Sequence, residues 1–484
     1  MKILFATLII TIFATPSYAV VPSMWPFLQS LVSFLPQILL FILVGISVIF
    51  KFSTWKLIFA WFGRNIKTKI GIGVTIVFAL AIMSLATYLF LYYTGNIALK
   101  SRKGQSDGVT MSEWTGFRGS DRRTGCLDGF PGPQDANEIW SFRESLDRAG
   151  FSSSPAISGN KVYVGSNNDV MYCFDASNGD VIWKFNAFYE VFSFPAIVDN
   201  KVYFGEGLHY TEDASFHCVN AETGDEIWSF STTGQIESSP FAADGKVVFG
   251  AGKDGVYCLD AKTGQKLWQY SEVYVAGSPL IHDKKVYFGS GYGKNGIYCL
   301  DLADGSEIWT INTKYPAWGA PAVWDGKIYV GTGSGNFVFS SEEPSGNVMC
   351  LDTQTGSSVW DFELSDAILG AIAIDDGKIY FGSRNSNLYC IDATSGKELW
   401  NFTTDGAIVS SPAVTKENVY IGSSDGKMYC VDKEDGIAKW EFDTGESGSF
   451  NIDTGIIGSP SISKGKLYIG SMNFFFYCIG ENEN

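Results

Sequence analysis

Residues 173–183 read CysPheAspAlaSerAsnGlyAspValIleTrp: the end of an apolar strand, a turn made of Asp, Asn and Gly, and the start of a second strand carrying Trp183. Near-copies of this phrase begin at Cys218, Cys258, Cys299, Cys350, Cys390 and Cys430. The matching tryptophans are Trp140, Trp183, Trp228, Trp268, Trp309, Trp360, Trp400 and Trp440. Their spacing, mostly about 40 residues, is that of a repeat architecture. One such unit cannot bury its apolar face alone, so neighbours must stack.

The third copy shows how a unit is built. SerSerProPheAla from Ser238 reads as a short first strand, followed by runs at 245–250, 255–260 and 265–270. AspGly at Asp244, LysAspGly at Lys253 and LysThrGly at Lys262 separate them. β-branched and aromatic runs bounded by Gly and Asp are hairpin signals. No helical spacing of apolar residues occurs after residue 110. Four antiparallel strands per unit, arranged radially, make the blades of a β-propeller. Glycines closing the second strand recur at Gly165, Gly205, Gly250, Gly289, Gly331, Gly382, Gly422 and Gly470, which gives eight blades. The eighth stops after its third strand, at 476–479. The orphan phrase GluIleTrpSerPhe at 138–142 supplies the missing outer strand and closes the ring. The fold class is therefore all-β, an eight-bladed propeller spanning 112–484.

CysLeuAspAlaLysThrGlyGlnLysLeuTrp, 258–268, resembles the tryptophan-docking repeat of the pyrroloquinoline quinone (PQQ) propeller superfamily. That superfamily holds quinoprotein dehydrogenases and BamB-type outer-membrane assembly factors. TrpThrGlyPheArgGlySerAspArgArgThrGly, 114–125, resembles the lead-in of BamB-like repeat proteins. The resemblance implies the propeller and not an activity, because the docking motif packs enzymes and non-enzymes alike.

The first 106 residues differ chemically from the rest. They hold nine Lys or Arg and no acidic residue, whereas the remainder carries 26 basic and 51 acidic side chains. Phosphate neutralisation needs clustered basic residues, so nucleic acid is excluded as a partner of the acidic propeller. Residues 1–19, with Lys2, an apolar run and a ThrProSerTyrAla end, read as a signal peptide. Two apolar stretches, about 31–50 and 70–93, have the length of membrane-spanning helices. Lys51, Lys56, Arg64, Lys67 and Lys69 lie between them and place that loop in the cytoplasm. The second span then delivers the propeller, through a tether at 95–111, to the periplasmic or extracellular side.

Eight of the nine cysteines occupy one equivalent third-strand site, and no CysXXCys pair exists. Equivalent points on neighbouring blades are about 10 Å apart, beyond disulfide reach. They read as small buried hydrophobes, with Cys126 the odd one out.

For a site, the residue before each Ser/Gly/Ala-x-Pro-like first strand is the position to follow. The set is Ser152, Phe192, Glu237, Ala276, Trp318, Leu369, Val409 and Ile457, and it is expected to ring one mouth of the central channel. Glu237 is its one charged member and Trp318 its largest aromatic, with Phe192 beside them as channel-mouth residues. The resemblance to quinoprotein dehydrogenases implies a quinone stacked on a Trp, with calcium below a disulfide of adjacent cysteines. Trp318 stands where the stacking Trp would be. Ser334 replaces the calcium-binding Asn, and Asn336 follows two positions later. Phe249–Gly255 lacks the Glu that the resemblance implies as a calcium ligand, and no two cysteines are adjacent. His209, His217 and His282 are scattered over separate blades, which leaves little for a triad or a zinc centre.

The reading is a membrane-anchored, non-catalytic propeller that presents a platform for envelope or membrane proteins, with no cofactor and no metal. Its alternative is a PQQ-dependent oxidoreductase with a degenerate site, in which Trp318, Ser334 and Asn336 would hold PQQ and calcium. The longest insertions, Leu208–Ala214, Thr332–Asn347 and Asp443–Ile456, are expected to carry specificity.

Overall fold

The computed structural model describes residues 114–119, 123–126, 131–144, 150–291, 293–335, 340–445 and 455–481. The expected signal peptide 1–19, spans 31–50 and 70–93 and tether 95–111 lie outside the described residues. Among the described residues, no helix is long and apolar enough to cross a membrane.

Eight four-stranded antiparallel sheets follow one another along the chain. In blade 3 they run Phe241–Ala243, Lys246–Gly250, Val256–Asp260 and Lys266–Tyr270 from the axis outward. The innermost strand thus starts three residues later than the sequence suggests. Pro240 has no N–H for the ladder, and the Ser239 N–H is held instead by Ser278 Oγ of the next blade at 2.8 Å. The channel-facing residues therefore sit on irregular lead-ins rather than on the strands themselves. In blade 8 the outer strand is Asn137–Phe142, paired with Phe476–Gly480, so that Trp140 faces Cys478.

The repeated phrase encodes the contact between blades. In blade 3 Cys258 pairs with Trp268, and the register then slips so that Leu259 meets Lys266. The same slip follows Cys173, Cys218, Cys299, Cys350, Cys390 and Cys430. Such a bulge bends the strand and re-aims its side chains. It turns the residue before the Trp outward, which is why Ile182, Ile227, Leu267, Ile308, Val359 and Leu399 are exposed although apolar. The Trp meanwhile reaches the next blade. Trp268 Nε1 donates to the Leu302 carbonyl at 3.0 Å, and Trp183 Nε1 to Ala221 at 3.1 Å. The second-strand tyrosine shares this acceptor, as Tyr163 does at Ala221 at 3.1 Å. Trp228 differs: Tyr203 takes the Ala261 carbonyl at 2.9 Å, and the indole nitrogen has no hydrogen-bond partner.

A turn glycine accepts every one of these indoles except Trp440. Gly264 has φ +71°, and a Cβ there would approach Trp228 to 2.6 Å, so only glycine serves. Blade 8 has no such turn, because its third and fourth strands come from opposite ends of the chain. The lead-in to the outer strand replaces it: the Pro133 carbonyl accepts from Trp440 Nε1 at 3.3 Å and from the Tyr420 hydroxyl at 3.1 Å. All nine cysteines are buried free thiols. Burial pushes the Cys173 and Cys258 thiols up to about 12, which keeps them protonated and unreactive.

Candidate ligand site on the propeller axis

One end of the central channel is crossed by the segment that precedes the ring. The Trp114 and Thr115 carbonyls accept from Ile157 N–H and Ile197 N–H, each at 2.7 Å, in the innermost strands of blades 1 and 2. Thr124 and Gly125 do the same for Ile374 at 2.7 Å and Val414 at 2.8 Å, in blades 6 and 7. Arg123 Nη2 donates to the Ser239 and Pro240 carbonyls at 3.1 and 3.3 Å, ahead of the inner strand of blade 3. Arg118 Nη1 donates to the Pro412 carbonyl ahead of blade 7. Backbone groups that would be orphaned on the inner strands are thereby satisfied, and the segment acts as a plug.

Both arginines are 1% exposed. Burial lowers each to about 9, and the Arg118 charge adds to the effect at Arg123. The Arg123 guanidinium lies over the Phe117 and Phe241 rings, at 5.2 and 5.3 Å from their centroids.

Beyond the plug lies a cavity of about 60 Å³. Phe117 of the plug and Phe194 line it, their ring centroids 4.7 Å apart. The eight equivalent lead-in residues, from Ser152 round to Ile457, all line it as well, one from each blade. Trp318 packs on Leu369, Val409 and Ala276, and its ring lies so close over Gly291 that a Cβ there would come within 2.6 Å. Glu237 is the single charged side chain in the lining. Its side chain is 16% exposed, and Oε1 has no hydrogen-bond partner. Burial raises the carboxyl to about 7, against a hydrogen bond from the His209 backbone that lowers it.

The His209 imidazole is 3.8 Å from Glu237, which brings the loop 208–214 to the cavity. Tyr210 and Phe188 are largely exposed there, at 63% and 82%, and the Tyr210 hydroxyl bonds Glu190. Glu206 anchors this corner. Its carboxylate accepts from Phe188 N–H at 2.9 Å and Ser215 N–H at 3.1 Å, and lies 3.3 Å from His217 Nε2. Burial pushes Glu206 up, but these bonds outweigh it and hold the carboxyl below its usual range.

A family model described as outer membrane protein assembly factor BamB matches residues 132–207, 205–340 and 344–473, most of the chain. The chain belongs to this BamB family. BamB from Moraxella catarrhalis shares the fold with a TM-score of 0.57 at 19% identity, covering 72% of this chain and 99% of that one. Quinohemoprotein alcohol dehydrogenase from Comamonas testosteroni gives 0.63 at 14% identity, covering 78% and 82%. The computationally designed Ika8 protein gives 0.58 at 17%, covering 71% and 99%. These likenesses are of fold, and they span an assembly factor, an enzyme and a designed protein. No curated protein sequence matches the chain.

Within this BamB-family propeller, the two described residues implied by a quinone site, Trp318 and Ser334, do not share the axial cavity. Trp318 lines the axial cavity and Ser334 does not. Ser334 Oγ is turned into its own hairpin, donating to the Glu343 and Ser345 carbonyls at 3.2 Å and accepting from Ser345 N–H at 2.9 Å. Asn336 lies outside the described residues. No cluster of three or more metal-ligating side chains occurs among the described residues. A cavity of about 60 Å³ is far below the several hundred that a cofactor of this size fills. The lining does not fit PQQ. The plug, with Phe117, Arg118 and Arg123, was not placed by sequence reasoning. The only available signal was an aromatic and basic phrase just ahead of the repeats.

Proposed function

We propose that this BamB-family protein is a membrane-anchored, non-catalytic platform that holds its propeller outside the cytoplasm to bind other envelope proteins. The observation that carries this reading is the axial site. It offers one carboxylate, Glu237, in a ring of otherwise uncharged side chains, and no nucleophile–base pair is formed among the residues that line it. Beside it, Phe188 and Tyr210 stand exposed, as aromatic anchors of protein interfaces do. The charge pattern of the first 106 residues supports the extracytoplasmic placement.

The test places a photo-crosslinking amino acid at Phe188 or Tyr210 in the native envelope. Discrete adducts with one or two envelope proteins, identified by mass spectrometry, are the expected outcome. The same protein given PQQ and calcium is expected to show no dye-linked oxidation of alcohols or sugars. Calcium-dependent turnover that disappears in Trp318→Ala would replace the platform with an enzyme.

A further inference from the structure

We propose that the axial cavity is a receptor for a single basic side chain, an arginine or lysine presented on an exposed segment of a partner protein. This rests on the platform reading and deepens it. A carboxylate in a largely apolar ring, with one oxygen that accepts no hydrogen bond and has only the exposed His209 imidazole 3.8 Å away, is poorly repaid for the hydration it loses. A cation seated beside it restores that loss, and a planar guanidinium does so while lying against aromatic faces. Glu237 has that company in Trp318, Phe192 and Phe194. The space, about 60 Å³, suits the tip of one side chain.

Geometry also sets the direction of entry. Along the blade 2 lead-in, Phe192 and Phe194 line the cavity before Ile197 meets the plug. The plug therefore closes the end where Trp114 enters the ring, and the occupant comes from the opposite end, past His209 and Tyr210. Glu190 adds negative charge on that side, which draws a basic segment in. The two exposed aromatic rings give its flanking residues a surface to lie on. This favours a protein segment over a free amine or a lipid headgroup, neither of which would use that surface.

Two blocked peptides decide it, one with Phe-Arg-Leu at its centre and one with citrulline in place of the arginine, titrated calorimetrically against the full-length protein in detergent at pH 8. Citrulline keeps the shape and removes the charge. The arginine peptide is expected to bind about 10- to 100-fold more tightly, the worth of a hydrogen bond to a charged group. Glu237→Gln should abolish that preference, and Glu398→Gln, on the exposed outer strand of blade 6, should keep it.

Equal binding of the two peptides overturns the proposal, as does no binding of either at about 1 mM, or a preference that survives Glu237→Gln. Spermidine, or vesicles containing phosphatidylethanolamine, matching the arginine peptide would also overturn it, because the occupant would then be an amine that is not on a protein. Crosslinks from Tyr210 together with indifference to arginine would sink this inference and leave the platform standing. Selective arginine binding without any protein adduct would sink the platform instead.

Discussion

The outer rim and the axis of this ring obey opposite rules. At the rim each blade repeats a cysteine, a bulge and a tryptophan, and the tryptophan meets the next blade over a turn glycine or its stand-in. At the axis the eight equivalent positions hold serine, phenylalanine, glutamate, alanine, tryptophan, leucine, valine and isoleucine. Repetition is needed where every blade makes the same contact. Variation is tolerated where all eight blades face one shared space, and there a single carboxylate gives the ring a side. The rim explains why the molecule holds together, and the axis is where it can be particular.

The sharpest way to break the contrast is to truncate a rim tryptophan. Trp268→Ala removes a buried indole and its bond to Leu302, and should cost about 3–5 kcal/mol in urea unfolding. A loss below about 1 kcal/mol would mean that docking does not hold the blades.

At the axis the expected change has the other sign. The Glu237 carboxyl, ordinarily near 4.5, is raised to about 7 in the folded protein. The folded state thus binds the proton more tightly, and the advantage is present below the ordinary value and lost as pH rises through about 7. Glu237→Gln cannot ionise, so it should be more stable than the parent by about 2–3 kcal/mol at pH 8 and indistinguishable from it near pH 4.5. A difference that stays flat with pH would show the carboxylate to be solvated.

Cys258→Ser, back at the rim, should cost about 1–3 kcal/mol by burying a hydroxyl. Thiol reagents should leave the folded protein unlabelled and reach the buried thiols only after denaturation. Leu267→Thr, on the outward side of the bulge, should change stability by less than about 0.5 kcal/mol. A large loss there would mean that the exposed apolar ring has a partner.

What could be read in the chain follows the same division. The blade count, the closing strand and the cysteine register were legible because each rests on a local phrase written eight times, such as the glycine that ends Lys246–Gly250. The axial set was legible as a set because the repeats align it, but its lead-in geometry was not, since it depends on Pro240 and on Ser278 from the next blade. Ser334 was grouped with Trp318 through the resemblance to a quinone- and calcium-binding segment, whereas the hairpin turns its hydroxyl back on Ser345. The plug was illegible for a deeper reason. Trp114 and Gly125 bond strands in blades 1 and 7, and nothing in a short phrase states which distant strands it will join.

The closing strand also sets an order in time. A chain made from its N-terminus presents Asn137–Phe142 early, yet the partner Phe476–Gly480 emerges only after the first seven blades. Trp440 finds the Pro133 carbonyl across 307 residues, and Arg118 finds Pro412 across 294. Seven blades can therefore collapse as they emerge, while the eighth waits with its outer strand unpaired until Phe476–Gly480 is made. A chain broken off before residue 476 would keep most of its blades and lose the means to shut the ring. Phe476–Gly480 acts as the latch, and its arrival is marked by closure itself.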